Sequence, residues 1–176
     1  MEELSFSEVI AKSKEKGIKL SGPECKIRIL SNIMCFQLND FLEFTLREQG
    51  INAKVTSGNY DNILQDSVER IEMSVVVVFW ELSNLVDGFH YKAGLMDKEL
   101  RGELVEKTKK GISVVLKNLV EVQQVFFNSF SSLVFDCHRL DKSPLTEIAV
   151  ELNKHLNECA SSNTVIVDIN KLFAMV

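Results

Sequence analysis

The sequence predicts a three-layer α/β domain around a five-stranded parallel sheet in the order 2-1-3-4-5, preceded by a short helix. Three observations lead there. Strand-like and helix-like segments alternate along the chain, and helical crossovers are what allow consecutive strands to run parallel, almost always with a right-handed turn. The segment Met73 to Trp80 is a β-branched run without alternation, the composition of a strand buried on both faces of such a sheet. Finally, 176 residues at 45% hydrophobic suffice for one core and are few for two, so residues 1–176 read as one domain with its core over 25–176.

The elements follow in order. Leu4 to Ile10 has serine as a capping oxygen, and Gly17 offers a left-handed stop, so a helix is expected over 5–17. Lys26 to Leu30 alternates polar and apolar and ends at Ser31-Asn32, giving the first strand. From Phe36 to Gln49, Leu38, Phe41, Leu42, Thr45 and Leu46 recur at helical spacing, and Gly50 closes the helix. Ile51 to Thr56 is the second strand, and Tyr60 to Ile71 reads as a helix with Ile63, Leu64, Val68 and Ile71 on one side. After the valine strand, Asp97 to about Val120 is the longest helix, with Leu100, Leu104, Val115, Leu116 and Leu119 inward, and Gly102 and Gly111 each weakening it by about 1 kcal/mol relative to alanine. Gln124 to Asn128 is the fourth strand. Ser143-Pro144 then supplies an N-cap and a first-turn proline ahead of Leu145, Ile148, Ala149, Leu152 and Leu156. Thr164 to Asp168 is the fifth strand.

Composition narrows the function classes. The net charge is −5, with 20 Lys and Arg against 25 Asp and Glu and no basic run interleaved with aromatics, so nucleic acid is not an expected partner. The longest apolar run, Val75 to Trp80, is far too short for a membrane span, and Glu2 and Glu3 stand where a signal peptide carries positive charge. Cys25, Cys35, Cys137 and Cys159 show no metal-type or disulfide-type spacing, which suits reduced thiols in a cytoplasmic protein.

In the order 2-1-3-4-5 the winding reverses between the first and third strands, and ligands bind outside the carboxyl ends there. At that edge the sequence places Ser31, Asn32 and Cys35, then Ser57, Gly58 and Asn59, then Glu81, Ser83, Asn84, Asp87 and His90, and last Asn128, Ser129, Ser131, Ser132, Asp136 and His138. The connection from Glu81 to Met96 exceeds the usual strand-to-helix length, as functional loops often do. The expected ligand-binding set is therefore Ser31, Asn32, Trp80, Glu81, Ser83, Asn84, Tyr91 and Asn128, the asparagines donating and accepting and the two aromatics forming flat walls. On that reading Asn32→Ala and Asn84→Ala weaken binding and leave the melting temperature nearly unchanged. Strand ends are polar in any such fold, so the cluster alone defines no chemistry.

Nucleophilic catalysis would need Ser31 activated by a histidine, with His138 and His90 as the candidates. His155, on the helix that covers the sheet, lies away from the strand tips. Cys35, Cys137, His138 and His90 share an edge, but only the adjacent Cys137 and His138 are close in sequence, and no metal is expected. The turn after the first strand holds no glycine, which removes both glycine-rich phosphate motifs, and no cofactor is expected.

The series Leu4 to Ile10, Lys26 to Asn32, Arg47-Glu48-Gln49-Gly50-Ile51 and Ser57-Gly58-Asn59-Tyr60, continued by the valine strand, Phe127-Asn128 and Val165 to Leu172, resembles the N-terminal domain of FkbH-like proteins. The resemblance implies an SGNH-hydrolase-like fold ahead of a haloacid-dehalogenase-type domain. It also implies a role in loading a glyceryl unit onto an acyl carrier protein, or in polyketide or surface-polysaccharide biosynthesis. The Asp-x-Asp motif of the dehalogenase-type half does not occur, which suits an accessory domain, the N-terminal part of a longer protein. Ser31-Asn32-Ile33 stands where the SGNH pattern has Gly-Asp-Ser, Trp80 to Asn84 replaces Gly-x-Asn-Asp, and no Asp-x-x-His follows the fifth strand. The resulting expectation is a ligand-binding or carrier-docking domain without complete catalytic machinery. The alternatives are an SGNH-type hydrolase or acyltransferase using Ser31 with His138 or His90, and an interaction module with no small-molecule site.

Overall fold

The computed structural model describes residues 5–69, 73–132 and 143–175. Its elements are α1 (Phe6–Lys19), β1 (Cys25–Ser31), α2 (Phe36–Glu48), β2 (Ala53–Ser57), α3 (Ile63–Asp66), β3 (Val75–Phe79), a 3-10 turn (Leu82–Asn84), α4 (Phe89–Lys92), α5 (Lys98–Asn118), β4 (Gln124–Asn128), α6 (Pro144–Cys159), β5 (Thr164–Val167) and α7 (Ile169–Ala174). The five strands are all parallel, in the order β2-β1-β3-β4-β5. The predicted fold class is the observed one, and β3 is central.

Parallel register puts alternate residues on opposite faces, and the two faces pack differently. Leu30, Val76, Val78, Val125 and Phe127 join Ile112, Val115 and Leu116 of α5 and Leu145, Ile148, Leu152 and Leu156 of α6 in one large cluster. On the other face, Ile27, Ile29, Ala53 and Val55 form a small cluster under Leu42 and Leu46 of α2. Along β3 the odd-numbered residues, Val75, Val77 and Phe79, are only partly buried. The expected burial on both faces therefore holds for one face alone, because α2 lies over β1 and β2 and α7, which follows β5, is six residues long with none buried.

Local chemistry explains the boundaries. Ser5 caps α1, its amide and hydroxyl both donating to the Glu8 carboxylate at 2.8 and 2.6 Å. Gly17 does not stop that helix, which continues to Lys19; a Cβ there would stand 2.9 Å from Cζ of Arg47, so the glycine serves close approach of α1 to α2. Arg47 donates to the Ser13 carbonyl at 3.0 Å and to the Ala53 carbonyl at 3.1 Å, while the Val55 amide donates to Glu43 at 2.9 Å. Side chains of α2 thus occupy backbone groups of the edge strand β2.

The helix expected from Tyr60 to Ile71 is a single turn, and Ile71 lies outside the described residues. Buried Asp66 explains this: its carboxylate accepts the Asn59 amide at 2.5 Å, the Asn59 side chain at 3.2 Å and the Asn62 side chain at 2.9 Å. A side chain that gathers the preceding loop competes with helix propagation. In α5, Leu100 is half-exposed rather than inward, and Gly111 sits beneath Trp80, where a Cβ would come within 2.9 Å of Cη2. The α6 prediction holds in every residue: Ser143 caps it, and Leu145, Ile148, Ala149, Leu152 and Leu156 are buried. The helix α7, capped by Asp168 through the Lys171 amide at 3.1 Å, was not foreseen.

Candidate functional site at the carboxyl edge

The topology brings Ser31, Asn32, Trp80, Glu81, Ser83 and Asn128 together at the tips of β1, β3 and β4. Their hydrogen bonds run mainly to one another and to the backbone. Asn32, 1% exposed, donates from Nδ2 to the Glu81 carbonyl at 2.9 Å and accepts the Glu81 amide on Oδ1 at 2.7 Å. Asn128 does the same one residue earlier, accepting the Trp80 amide at 2.6 Å and donating to the Trp80 carbonyl at 3.1 Å and the Ser129 carbonyl at 3.0 Å. The two side-chain amides extend the sheet past the last paired residues, holding the β3 tip from both sides. Asn153 of α6 clamps the Phe130 backbone in the same manner, at 2.7 and 2.9 Å.

Glu81 caps the 3-10 turn, its carboxylate accepting the Asn84 amide at 3.1 Å and the Ser83 hydroxyl. Trp80 is buried against Phe127 and Phe130, with ring centroids 6.4 and 6.5 Å away, and belongs to the core. Tyr91 projects into solvent, its ring 3.9 Å from that of His90, and Asn84 is exposed. The Ser31 hydroxyl is nearly buried and accepts the Ile33 amide at 3.0 Å; among the described residues no histidine bonds to it. His138, Cys137 and Asp136 lie outside the described residues. Among the described residues no three His, Cys, Asp or Glu side chains gather as metal ligands, and no helix is long and apolar enough to cross a membrane.

Beside these tips lies a cavity of about 110 Å³, lined by Phe79, Glu81, Leu82, Asn128, Ser129, Ser131, Ile169 and Phe173. That is below the roughly 300–1,000 Å³ of small-molecule pockets. A cavity of about 300 Å³ lies elsewhere, beside Arg28, whose guanidinium stands 2.7 Å from Glu69 and 3.9 Å from Asp66.

The rim is apolar, which strand-end reasoning did not predict. Leu95 is 87% exposed, Met34 78%, Tyr91 76%, Tyr60 59% and Phe36 58%, all on segments leaving the carboxyl ends of β1, β2 and β3. Met34, Cys35, Phe36, Gln37, Leu38 and Phe41 line a shallow depression of about 490 Å³, and no residue from Ile33 to Asn39 is charged. The signal was present in the sequence as Ile33-Met34-Cys35-Phe36, an apolar stretch in what had to be a loop.

An open parallel sheet in this order, with a self-bonded polar floor and an apolar rim at its carboxyl edge, defines a doubly wound α/β domain. No family model matches the sequence, and no curated protein matches it. Among solved structures, the N-terminal part of the protein BF1531 from Bacteroides fragilis, containing a phosphatase domain complexed with Mg, shares the fold at a TM-score of 0.72 and 14% identity. The match covers 98% of this chain and 47% of that one, so the chain spans about half the length of that structure. This agreement of fold is consistent with the FkbH-like resemblance drawn from the motifs.

Proposed function

We propose that the chain is an accessory domain of an FkbH-like biosynthetic protein that docks a partner domain through its carboxyl edge and carries no complete catalytic site of its own. The observation that carries this is the pairing of an apolar rim, with Leu95 87% and Met34 78% exposed, to a polar floor whose asparagines hold backbone. Exposed apolar surface of this extent marks protein contact sites, and the small cavity between the strand tips suits a side chain better than a free ligand. The partner that fits best is a haloacid-dehalogenase-type domain, since the matched chain holds a phosphatase domain and is about twice as long. An acidic carrier protein would ask for cations, and on the described rim Lys92 and Lys171 already stand 3.9 and 3.8 Å from Asp87 and Asp168.

The test is biolayer interferometry of the immobilised chain against a purified dehalogenase-type domain and, separately, an acyl carrier protein. Phe36→Glu and Leu95→Glu are expected to weaken binding of the dehalogenase-type domain at least about tenfold, with melting temperatures unchanged because both side chains are exposed. Equal affinity for all variants, or binding of the carrier alone, overturns the reading. Turnover of short acyl esters that disappears in Ser31→Ala would restore the hydrolase alternative.

A further inference from the structure

The seam between α5 and α6 holds a polar cluster that the strand-tip site does not use. Cys159 ends α6 and His155 precedes it by four residues, so both project from one side of that helix. Facing them on α5 are the Ser113 hydroxyl and the Lys109 carbonyl. His155 Nε2 lies 3.4 Å from Cys159 Sγ, 2.8 Å from Ser113 Oγ and 3.0 Å from the Lys109 carbonyl oxygen. Ser113 Oγ in turn lies 3.4 Å from the sulfur and 3.1 Å from the same carbonyl. All three side chains are partly buried, which shields the cluster and leaves it within reach of solvent.

Hydrogen bonds alone do not fill this arrangement. The imidazole nitrogen, the hydroxyl and the thiol bring at most one hydrogen each to the cluster, and the carbonyl brings none. Those hydrogens are fewer than the close approaches they would have to serve, so lone pairs are in excess at the centre.

We propose that these four atoms are the ligands of a zinc-type divalent cation, which ties the last turn of α6 to α5. Donor chemistry selects the ion: a sulfur and an imidazole nitrogen suit zinc, whereas calcium and magnesium take oxygen ligands. A tetrahedral zinc holding nitrogen at about 2.0–2.1 Å and sulfur at about 2.3 Å sets those two atoms about 3.5 Å apart. His155 Nε2 and Cys159 Sγ, at 3.4 Å, already have that separation. The two oxygens, 2.8 and 3.0 Å from the nitrogen, draw back by about half an ångström to complete the tetrahedron. Binding sends the thiol proton to solvent and leaves the imidazole neutral, with its hydrogen on Nδ1. The Lys109 ammonium is offset by Glu106 and Glu151, at 2.8 and 2.5 Å. With two strong ligands where structural zinc sites have four, the site exchanges its ion.

The test is cobalt, a coloured stand-in for zinc, titrated into the reduced full chain. A near-ultraviolet thiolate-to-cobalt charge-transfer band and the visible bands of tetrahedral cobalt are expected, saturating at about one ion per chain and abolished by zinc. Cys159→Ser is expected to remove the charge-transfer band, and His155→Ala to weaken cobalt binding at least about tenfold. In the unaltered chain, zinc is expected to slow alkylation of Cys159 by iodoacetamide at least about tenfold, read by peptide mass spectrometry, a result that does not depend on how the variants fold. Absence of the band overturns the proposal, as does a band indifferent to both changes, one lost instead in Cys137→Ser, or alkylation of Cys159 unaffected by zinc. Phe36→Glu and Leu95→Glu should leave the band intact, since the last turn of α6 leads into the amino end of β5, away from the carboxyl edge. Partner docking and metal binding therefore stand or fall separately.

Discussion

The two faces of the sheet are made by the same five strands and finish differently. One is closed: α5 and α6, of 21 and 16 residues, lay buried side chains along its length, and the largest fully buried side chains, among them Phe127, Ile112, Leu152 and Leu156, gather there. The other is held by α2, which has no fully buried residue, and by the six-residue α7. Alternation along a strand distributes apolar residues to both faces equally, so the covering helices decide which become core. The apolar surface that remains exposed lies on the rim and beside β5.

The largest effect expected from this comparison is on stability. Phe127→Ala, on the closed face, should cost about 3–5 kcal/mol in urea denaturation, by lost burial and an unfilled cavity. Val77→Ala, in β3 on the open face, one residue before the register partner of Phe127, should cost about 1 kcal/mol, since its methyls are already partly in water. Comparable losses would mean that the second face is covered in solution.

The next effect sits where the faces meet, at the strand tips. Asn32→Ala and Asn128→Ala each leave an N–H and a C=O of the β3 tip without a partner and should cost about 2 kcal/mol, while Asn84→Ala stays within about 0.5 kcal/mol. The expectation that Asn32→Ala spares the melting temperature is thereby replaced by its opposite, because the amide bridges two strands. Melting of the three variants side by side separates a framework asparagine from a surface one. A smaller change is expected for Gly111→Ala. The helix gains about 1 kcal/mol of propensity, but the new methyl meets Trp80 at 2.9 Å, and overpacking of about 1–3 kcal/mol makes the net effect destabilising. Trp80 is the one tryptophan, so its fluorescence reports the displacement directly.

The fold was legible because the signals that define it are local and periodic. The valine run, the Ser143-Pro144 start and the inward stripe of α6 each depend on neighbours within a few residues, and strand order followed from alternation. What escaped depends on distant partners or on local side-chain bonds that carry no periodicity. Asp66 ends its helix early by gathering Asn59 and Asn62, seven and four residues before it, and nothing near Gly17 or Gly111 says that Arg47 or Trp80 will lie against them. At the candidate site Ser31, Asn32, Glu81, Ser83 and Asn128 do assemble, but the backbone groups that Asn32 and Asn128 hold lie 49 and 48 residues away in sequence, beyond the reach of a local pattern. Tyr91 and Trp80 were paired as walls, yet one is solvent-exposed and the other is core, since the core requirement of β3 and β4 reaches one residue past the strand.

The smallest effect concerns the charges that tie the closed face together. Lys109 of α5 donates to Glu151 of α6 at 2.5 Å and to Glu106 at 2.8 Å. Donating to Glu106 and Glu151 raises the Lys109 ammonium above its ordinary 10.5, and accepting from Lys109 holds the Glu106 carboxyl below its ordinary 4.5. A raised lysine stabilises the fold below its unfolded value and loses that contribution as pH climbs through the folded one. A lowered carboxylate contributes above its unfolded value and loses it as pH falls through the folded one. The cluster should therefore add stability across the neutral range and fade at both extremes. Lys109→Met keeps the aliphatic stem and removes the charge, so its deficit in melting temperature should be greatest near neutrality and shrink below pH 4.5 and above pH 10.5. Because the carboxylates are exposed, molar salt should erase most of the deficit, which separates a screened ion pair from packing between α5 and α6. A deficit indifferent to both salt and pH would mean that the stem of Lys109, not its charge, joins the two helices.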